Sequence, residues 1–364
     1  MTLARLLNIL FGVILFLTSF LGSIFILFPL FPSILVSAKL YRWLMNRMVG
    51  YWLTLPPSLL EVLHGVKLEL SGDMISRNDR ALLIMNHRTR LDWLFLWTAL
   101  YAIDPWLLTS EKIVLKSDLK RIPGAGWAME CNAFVFVDRN WASDKPILSN
   151  ALDYYKDLSA NYQILFFPEG TDLHEKAMAR SNLFAENHGL PKLEYTLHPR
   201  TTGFVHAVQN MAKGGGLDAV YDIDIAYPET IVTNELEFMN GKTPEKLCVN
   251  VTRHSVESLP VTSAEELASW CSQRWLAKEN RLREFYTGSK SFPGSRVVSI
   301  RGPGIWLSLA FWLSNLVAWI YGLCSSWWIL LYAVGAVVVF SVIDWVYGGI
   351  ERWEILWWKR KLDW

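Results

Sequence analysis

Residues 82–97 read LLIMNHRTRLDWLFLW: an apolar run, a polar break at Asn86-His87-Arg88-Thr89-Arg90, then Leu91-Asp92 and a second apolar run rich in tryptophan. On one regular helix, at about 100° per residue, His87 and Asp92 would stand about 140° apart and could not meet. Read instead as a strand (RALLIM), a turn (Asn86 to Arg88) and a helix with Thr89 as its N-cap, the same residues form a corner. Asp92 then sits in the first helical turn, where a carboxylate reaches back toward the loop that carries His87. Taken alone, a capping pair Thr89-x-x-Asp92 beside a buried structural histidine accounts for these residues as well as a reactive pair does; the rest of the chain decides.

Outward from this corner, β-like and helical stretches alternate from residue 66 to residue 290. The strand candidates VKLEL, ALLIM, AFVFV, YQILFF, AVYDIDIAY and LCVNVT are rich in β-branched and aromatic residues and bounded by turn signals. Between them Leu148, Leu152, Tyr155 and Leu158 recur at helical spacing. The stretch SAEELASWCSQRWLAKENRLREFY opens on Ser263 with Glu266 three residues on, a capping box, and reads as a long final helix. The expected fold is α/β, with a mixed, largely buried sheet and flanking helices. KGGGLD at 213–218 is a turn without the rest of a phosphate loop.

The ends of the chain are apolar. Of 364 residues, 52% are hydrophobic and 19 are Trp, with a mean hydropathy of +0.21, so membrane segments come first in the reading. Leu6 to Val36 carries no charge and is long enough to cross a bilayer. A signal-peptide core runs only ~7–15 residues, which favours a retained anchor. Pro29 and Pro32 end or kink it. Ile305 to Ile343 is also uncharged, and two spans of ~18–20 residues fit around a turn at YGLCSS. A re-entrant hairpin is the alternative. Arg42 and Arg47, interleaved with Trp43 and Trp52, suit a helix in the membrane interface, and equally an amphipathic helix packed on the domain.

The expected organisation is an anchor (1–38), an interfacial segment (39–65), a catalytic domain (66–290), a linker (291–302), a transmembrane hairpin (303–348) and a basic tail (349–364). Lys39, Arg42, Arg47, Arg296, Arg301, Arg352, Lys359, Arg360 and Lys361 all fall on one side, which the positive-inside rule makes cytosolic. The sequon at Asn250 is then silent. The expected location is the endoplasmic reticulum membrane, multi-pass, or the mitochondria-associated membrane. A net charge of +1 gives no nucleic-acid footprint. Cys131, Cys248, Cys271 and Cys324 are scattered and read as free thiols, and no metal-binding spacing occurs.

Four ordered blocks give a resemblance: NHRTRLD, FVFVDR (134–139), FFPEGTDL (166–173) and YTLHPRTTGF (195–204). Together they resemble the His-x4-Asp motif and its companions in the glycerolipid (lysophosphatidic acid) acyltransferase superfamily, in its lysocardiolipin acyltransferase-like branch. The resemblance covers roughly residues 40–290. It implies an O-acyltransferase with no bound cofactor, acyl-CoA as co-substrate, a lysophospholipid acceptor and the bilayer as partner; it names no protein partner. Imidazoles, with an unperturbed pKa near ~6.5, suit general-base catalysis at neutral pH, and His87 is the candidate, with Asp92 setting its tautomer. No G-x-S-x-G elbow points to an acyl-serine. The resemblance implies an acceptor site of Arg139, Glu169, Gly170 and Thr171, to which Asn86 and Asp172 are added; Lys120 and Arg121 are candidates for contacts to donor or acceptor phosphates, and a solvated basic loop explains them as well. Two positions depart from the superfamily pattern. Ala133 stands where Gly is common, read as a different backbone turn. Asp172 stands where Arg is common, which turns the expectation toward polyol phosphodiester headgroups (lysophosphatidylinositol, lysophosphatidylglycerol, lysocardiolipin) and away from lysophosphatidate. The alternative for Asp172 is a helix cap. A transacylase that takes acyl groups from intact phospholipids and a lysophosphatidate acyltransferase are the rival enzymes, and a membrane scaffold the rival non-enzyme.

Overall fold

In a computed structural model, which describes residues 2–158 and 160–362, the centre is an eight-stranded sheet in the order β4-β3-β5-β2-β6-β7-β1-β8. The strands are β1 Lys67–Gly72, β2 Ala81–Met85, β3 Glu111–Lys116, β4 Val135–Val137, β5 Gln163–Phe166, β6 Ala219–Ala226, β7 Lys246–Ser255 and β8 Arg296–Val298. β4, β3, β5, β2 and β6 are parallel, β7 runs antiparallel to β6, and β8 antiparallel to β1. β2 is central and every residue of it is buried. Ala81, Leu83 and Met85 join the core on one face; Leu82 and Ile84 join the core on the other. That two-sided burial is why ALLIM is continuously apolar rather than alternating.

All six strand candidates form. β3 and β8 were not foreseen. β3 (EKIVLK) opens with two charges that the fold buries: Glu111 accepts from Trp97 Nε1 at 2.7 Å, and Lys112 Nζ donates to Asn46 and Asn132 at 2.9 Å each. Burial pushes the Glu111 carboxyl up to about 8 and the Lys112 ammonium well below its ordinary value. β8 is a three-residue edge strand on β1. The final helix, Ala264–Thr287, is capped by Ser263, which accepts from Glu266 N at 3.2 Å. It lays Lys278 and Arg281 against Asp222 and Asp224 of β6, so even the acidic positions of that strand are matched.

Three helices are long and apolar enough to cross a membrane: Leu3–Val36, Pro303–Ser325 and Trp327–Tyr347. Within the first, the α-helix ends at Gly22 and continues as a π-turn and a 3-10 turn around Pro29. It leans on the domain along its length. Asn8 Nδ2 donates to Phe238 O at 2.6 Å, and Ser23 Oγ to Gly124 O at 3.1 Å. A Cβ on Gly124 would lie 2.2 Å from Phe20 Cα, so only glycine fits there. Leu3, Leu6, Leu10, Val13 and Phe16 form the exposed side.

The segment expected in the interface is a helix, Ala38–Trp52, that turns Tyr41, Arg42, Met45 and Val49 inward. Arg42 therefore meets Glu354 and not lipid headgroups. Arg47 stays at the surface between the rings of Trp43 and Trp106. Nor is 349–364 a loose basic tail. It folds back as a helix, Ile350–Leu362, whose Glu351 and Glu354 are buried. The side chains of Arg360 and Lys361 and residues 363–364 lie outside the described residues. At the C-terminal end of the helix Ala38–Trp52, Trp52 meets Trp97 edge-on at 6.4 Å.

Candidate active site

β2 ends at Met85, and the chain turns through residues 86–91 into a helix, Asp92–Ile103. The helix begins later than expected, and Leu91, with no side-chain cap bond, holds the cap position. Thr89 serves the loop instead. Its N–H donates to Asp92 Oδ2 at 2.8 Å and its hydroxyl to Asp92 Oδ1 at 3.1 Å. His87 Nδ1 lies 3.0 Å from Asp92 Oδ2. Tyr227 OH, at the end of β6, donates to Asp92 Oδ1 at 2.6 Å. Asp92 is 0% exposed, while the His87 side chain keeps 16%. The arrangement makes Nδ1 the protonated nitrogen, facing a carboxylate that accepts from three other donors. Nε2 has no hydrogen-bond partner among the described residues. Phe167 stacks on the imidazole at 4.2 Å and fixes its plane.

The third block closes over this corner. Leu173 N donates to His87 O at 2.8 Å. Gly170 N donates to Phe167 O at 2.9 Å, and Gly170 takes a left-handed φ of +73° that suits glycine. Glu169 is buried beneath the turn. It accepts from His87 N at 3.2 Å, Leu197 N at 3.0 Å and Trp275 Nε1 at 3.3 Å. Burial pushes its carboxyl up to about 7, against the pull of these donors toward the charged form. In this position Glu169 ties the first, third and fourth blocks and the final helix together and shows no face to an acceptor. Asn86 is also taken up by the fold, donating to Ile225 O at 3.0 Å and accepting from Ile225 N at 2.8 Å.

Thr171 and Asp172 lie on the half-buried rim of the turn, Thr171 Oγ1 at 3.3 Å from Asp172 Oδ1. Asp172 does not cap the following helix. His174 does, accepting from Ala177 N at 3.3 Å. Asp172 instead stands 3.8 Å from Arg90 Nε. Arg139 is exposed in a left-handed conformation, φ +62°. Its pKa is held below the ordinary value by partial burial and by the charge of Arg200, which the sequence reading had not placed at the site. Lys120 is drawn away: it bonds Gly348 O at 2.8 Å and pairs with Glu351. Arg121 is exposed and makes no ion pair among the described residues. Ala133 has φ +52°, so the turn keeps the left-handed form that a glycine would take, contrary to the expected change of turn. Among the described residues no His, Cys, Asp or Glu cluster is arranged to hold a metal ion.

The parallel-centred sheet thus sets an Asp-oriented histidine, partly exposed, at the carboxyl end of its middle strand. The family model described as Acyltransferase matches residues 67–228, and the one described as Acyltransferase C-terminus matches residues 237–312. The chain is 43% identical over 363 residues to lysocardiolipin acyltransferase 1 of Gallus gallus, covering 96% of this chain and 93% of that one. It is 38% identical over 366 residues to lysophosphatidylinositol acyltransferase 10 of Caenorhabditis elegans, with the same coverages. A probable 1-acyl-sn-glycerol-3-phosphate acyltransferase 5 of Arabidopsis thaliana is 34% identical over 253 residues, 70% of this chain and 66% of that one. The crystal structure of the 1-acyl-sn-glycerophosphate acyltransferase of Thermotoga maritima aligns with a TM-score of 0.48 at 14% identity, covering 77% of this chain and 98% of that one. The chain belongs to the glycerolipid acyltransferases, in the lysocardiolipin acyltransferase-like branch, and is an O-acyltransferase.

Proposed function

We propose that the protein transfers a fatty acyl group from acyl-CoA to a hydroxyl of a lysophospholipid whose headgroup is a polyol phosphodiester. The observation that carries the reading is the pairing of His87 Nδ1 with a wholly buried Asp92, which leaves Nε2 without a partner. The printed names of the relatives, lysocardiolipin and lysophosphatidylinositol acyltransferases, support the acceptor class. The acceptor hydroxyl gives its proton to His87 Nε2 as its oxygen bonds to the thioester carbonyl carbon. The tetrahedral intermediate collapses, the C–S bond breaks, and the CoA sulfur takes the proton back from the imidazolium. One ester and one thiol result, and no group stays on the enzyme. Asp92 stabilises the transient imidazolium.

The membrane setting belongs to the same reading: endoplasmic reticulum, with the catalytic domain cytosolic. The sequon asparagine fits that side, because Asn250 lies in β7 with its amide donating to Asp224 at 2.9 Å. A cysteine placed at Ser325 then labels from the lumen and one at Ser295 from the cytosol. Labelling of both from one side overturns the topology.

Detergent-purified full-length protein, given oleoyl-CoA and a panel of lysophospholipids, tests the activity. Free CoA released in step with new diacyl lipid is the expected result. Acyl transfer from an intact phospholipid with no CoA requirement would replace this reading with the transacylase. Because Asp172 is not a cap, Asp172→Arg is expected to raise the rate on lysophosphatidate relative to lysophosphatidylinositol, the monoester carrying the larger charge. An unchanged ratio would show that Asp172 does not read the headgroup.

A further inference from the structure

Beside the Gly170 turn the charges of three guanidinium groups act on one another and outnumber the two carboxylates, Asp172 and Asp118, that act on Arg139. Arg139, Arg180 and Arg200 make no ion pair among the described residues, whereas Asp172, the acid on this rim, stands near Arg90. Partial burial and the charges of Arg200 and Arg180 disfavour the charged form of Arg139, against the pull of Asp172 and Asp118. Three like charges that share fewer acids than their own number leave positive charge that an arriving anion can meet. Arg139 also holds a left-handed conformation that non-glycine residues rarely adopt and that gathers at functional sites.

Of the three, Arg200 is the one built into the catalytic corner. Its N–H donates to Pro168 O at 2.7 Å, fixing its backbone to the turn. Its side chain lies across the turn: a Cβ at Gly170 would stand 3.3 Å from Arg200 Cδ and 3.5 Å from its Nε. Three residues upstream, Leu197 N and His87 N bond the same Glu169 carboxylate. The position of Arg200 is thereby tied to that of the imidazole. Arg180, on the helix Glu175–His188, has no such tie.

We propose that Arg200 is the second phosphate-holding cation of the acceptor site, working with Arg139 across the Gly170 turn and supplying the positive charge that Asp172 withholds from that loop. This rests on the reading that a lysophospholipid phosphodiester docks beside His87. A planar guanidinium can grip two phosphate oxygens at once, and an ammonium cannot reproduce that fork.

Full-length protein in detergent, assayed at fixed oleoyl-CoA over a range of lysophosphatidylinositol, tests it. Arg200→Gln is expected to raise the acceptor KM about 10- to 100-fold, the range of one charge-assisted contact, with kcat within about threefold and the acyl-CoA KM unchanged. Arg200→Lys recovers part of the loss. Added salt raises the acceptor KM of the wild type more steeply than that of Arg200→Gln. An unchanged acceptor KM overturns the proposal, as does a rise confined to the acyl-CoA KM. If Arg200→Gln is less stable, Arg200→Lys decides, because its stem still packs over Gly170: a wild-type acceptor KM there overturns the proposal. If the wild type transfers no acyl group to any lysophospholipid, the functional reading is what fails. Direct binding of lysophosphatidylinositol, weakened by Arg200→Gln or not, then judges Arg200 by itself.

Discussion

At the His87 corner an acid with no exposure faces a histidine whose second nitrogen is free; where the helix Ala38–Trp52 meets the C-terminal helix, an acid just as buried is bonded on every side. Glu354 Oε1 accepts from Arg42 Nε at 2.9 Å and from Tyr154 OH, and its Oε2 pairs with the same guanidinium. Arg42 spends its remaining donors on Cys131 O at 2.7 Å and Asn46 Oδ1 at 3.3 Å. Both places bury charge, and both join elements far apart in sequence. Beside the second, the unpartnered Tyr41 hydroxyl is sealed in the core, whereas the free nitrogen of the first belongs to a side chain that keeps 16% exposure. Buried charge is therefore common to both places, and the unspent hydrogen-bonding capacity of His87 is what sets the proposed active site apart.

If that contrast holds, the two places respond to mutation in opposite ways. The largest effect is on the reaction. His87→Ala and Asp92→Asn are each expected to lower kcat on the order of 10³–10⁴-fold, as loss of a general base or of its tautomer control does; His87→Ala leaves the melting temperature little changed, while Asp92→Asn lowers it as well, because its amide turns a donor toward the Thr89 and Tyr227 donors. Near-normal turnover in Asp92→Asn would remove His87 as the base. Next, Glu354→Ala strands the Arg42 guanidinium in the interior and is expected to cost about 3–5 kcal/mol, while each molecule that remains folded keeps its kcat. A kcat loss with unchanged thermal unfolding would make this junction part of the reaction.

A smaller change sharpens the comparison, because it touches Asp92 without touching His87. Tyr227→Phe removes one of the charge-assisted donors to Asp92. It is expected to cost about 1.5–3 kcal/mol in stability and about tenfold in kcat, and to shift the acidic limb of the pH–rate profile. A shift in melting temperature with an unmoved pH profile would leave Tyr227 a packing residue only. The smallest effect lies away from both places. Ala133→Gly relieves the left-handed φ and is expected to stabilise the protein by about 1 kcal/mol, seen as a higher melting temperature with unchanged activity. Destabilisation would mean that the buried methyl matters more than the strain.

What could be read without coordinates was local. Strands and helices follow periodicities of two and 3.6 residues, so ALLIM, AVYDIDIAY and the Ser263-capped helix stood out. So did the pairing of His87 with Asp92, because five residues across a strand–helix corner leave few geometries. EKIVLK did not stand out as β3, because its first two charges find their partners in Trp97, Asn46 and Asn132 only after folding. Long-range hydrogen bonds likewise decided which motif residues keep polar atoms free. Glu169 and Asn86, both within recognisable motifs, are consumed by Leu197, Trp275 and Ile225. Tyr227, 135 positions from Asp92, had no local pattern to announce it, and Arg200, although inside the fourth block, had none that placed it over Gly170. A residue's type and spacing fix what chemistry it can offer. Whether that capacity stays free depends on which groups the chain brings against it from far away, and only the tertiary structure decides that.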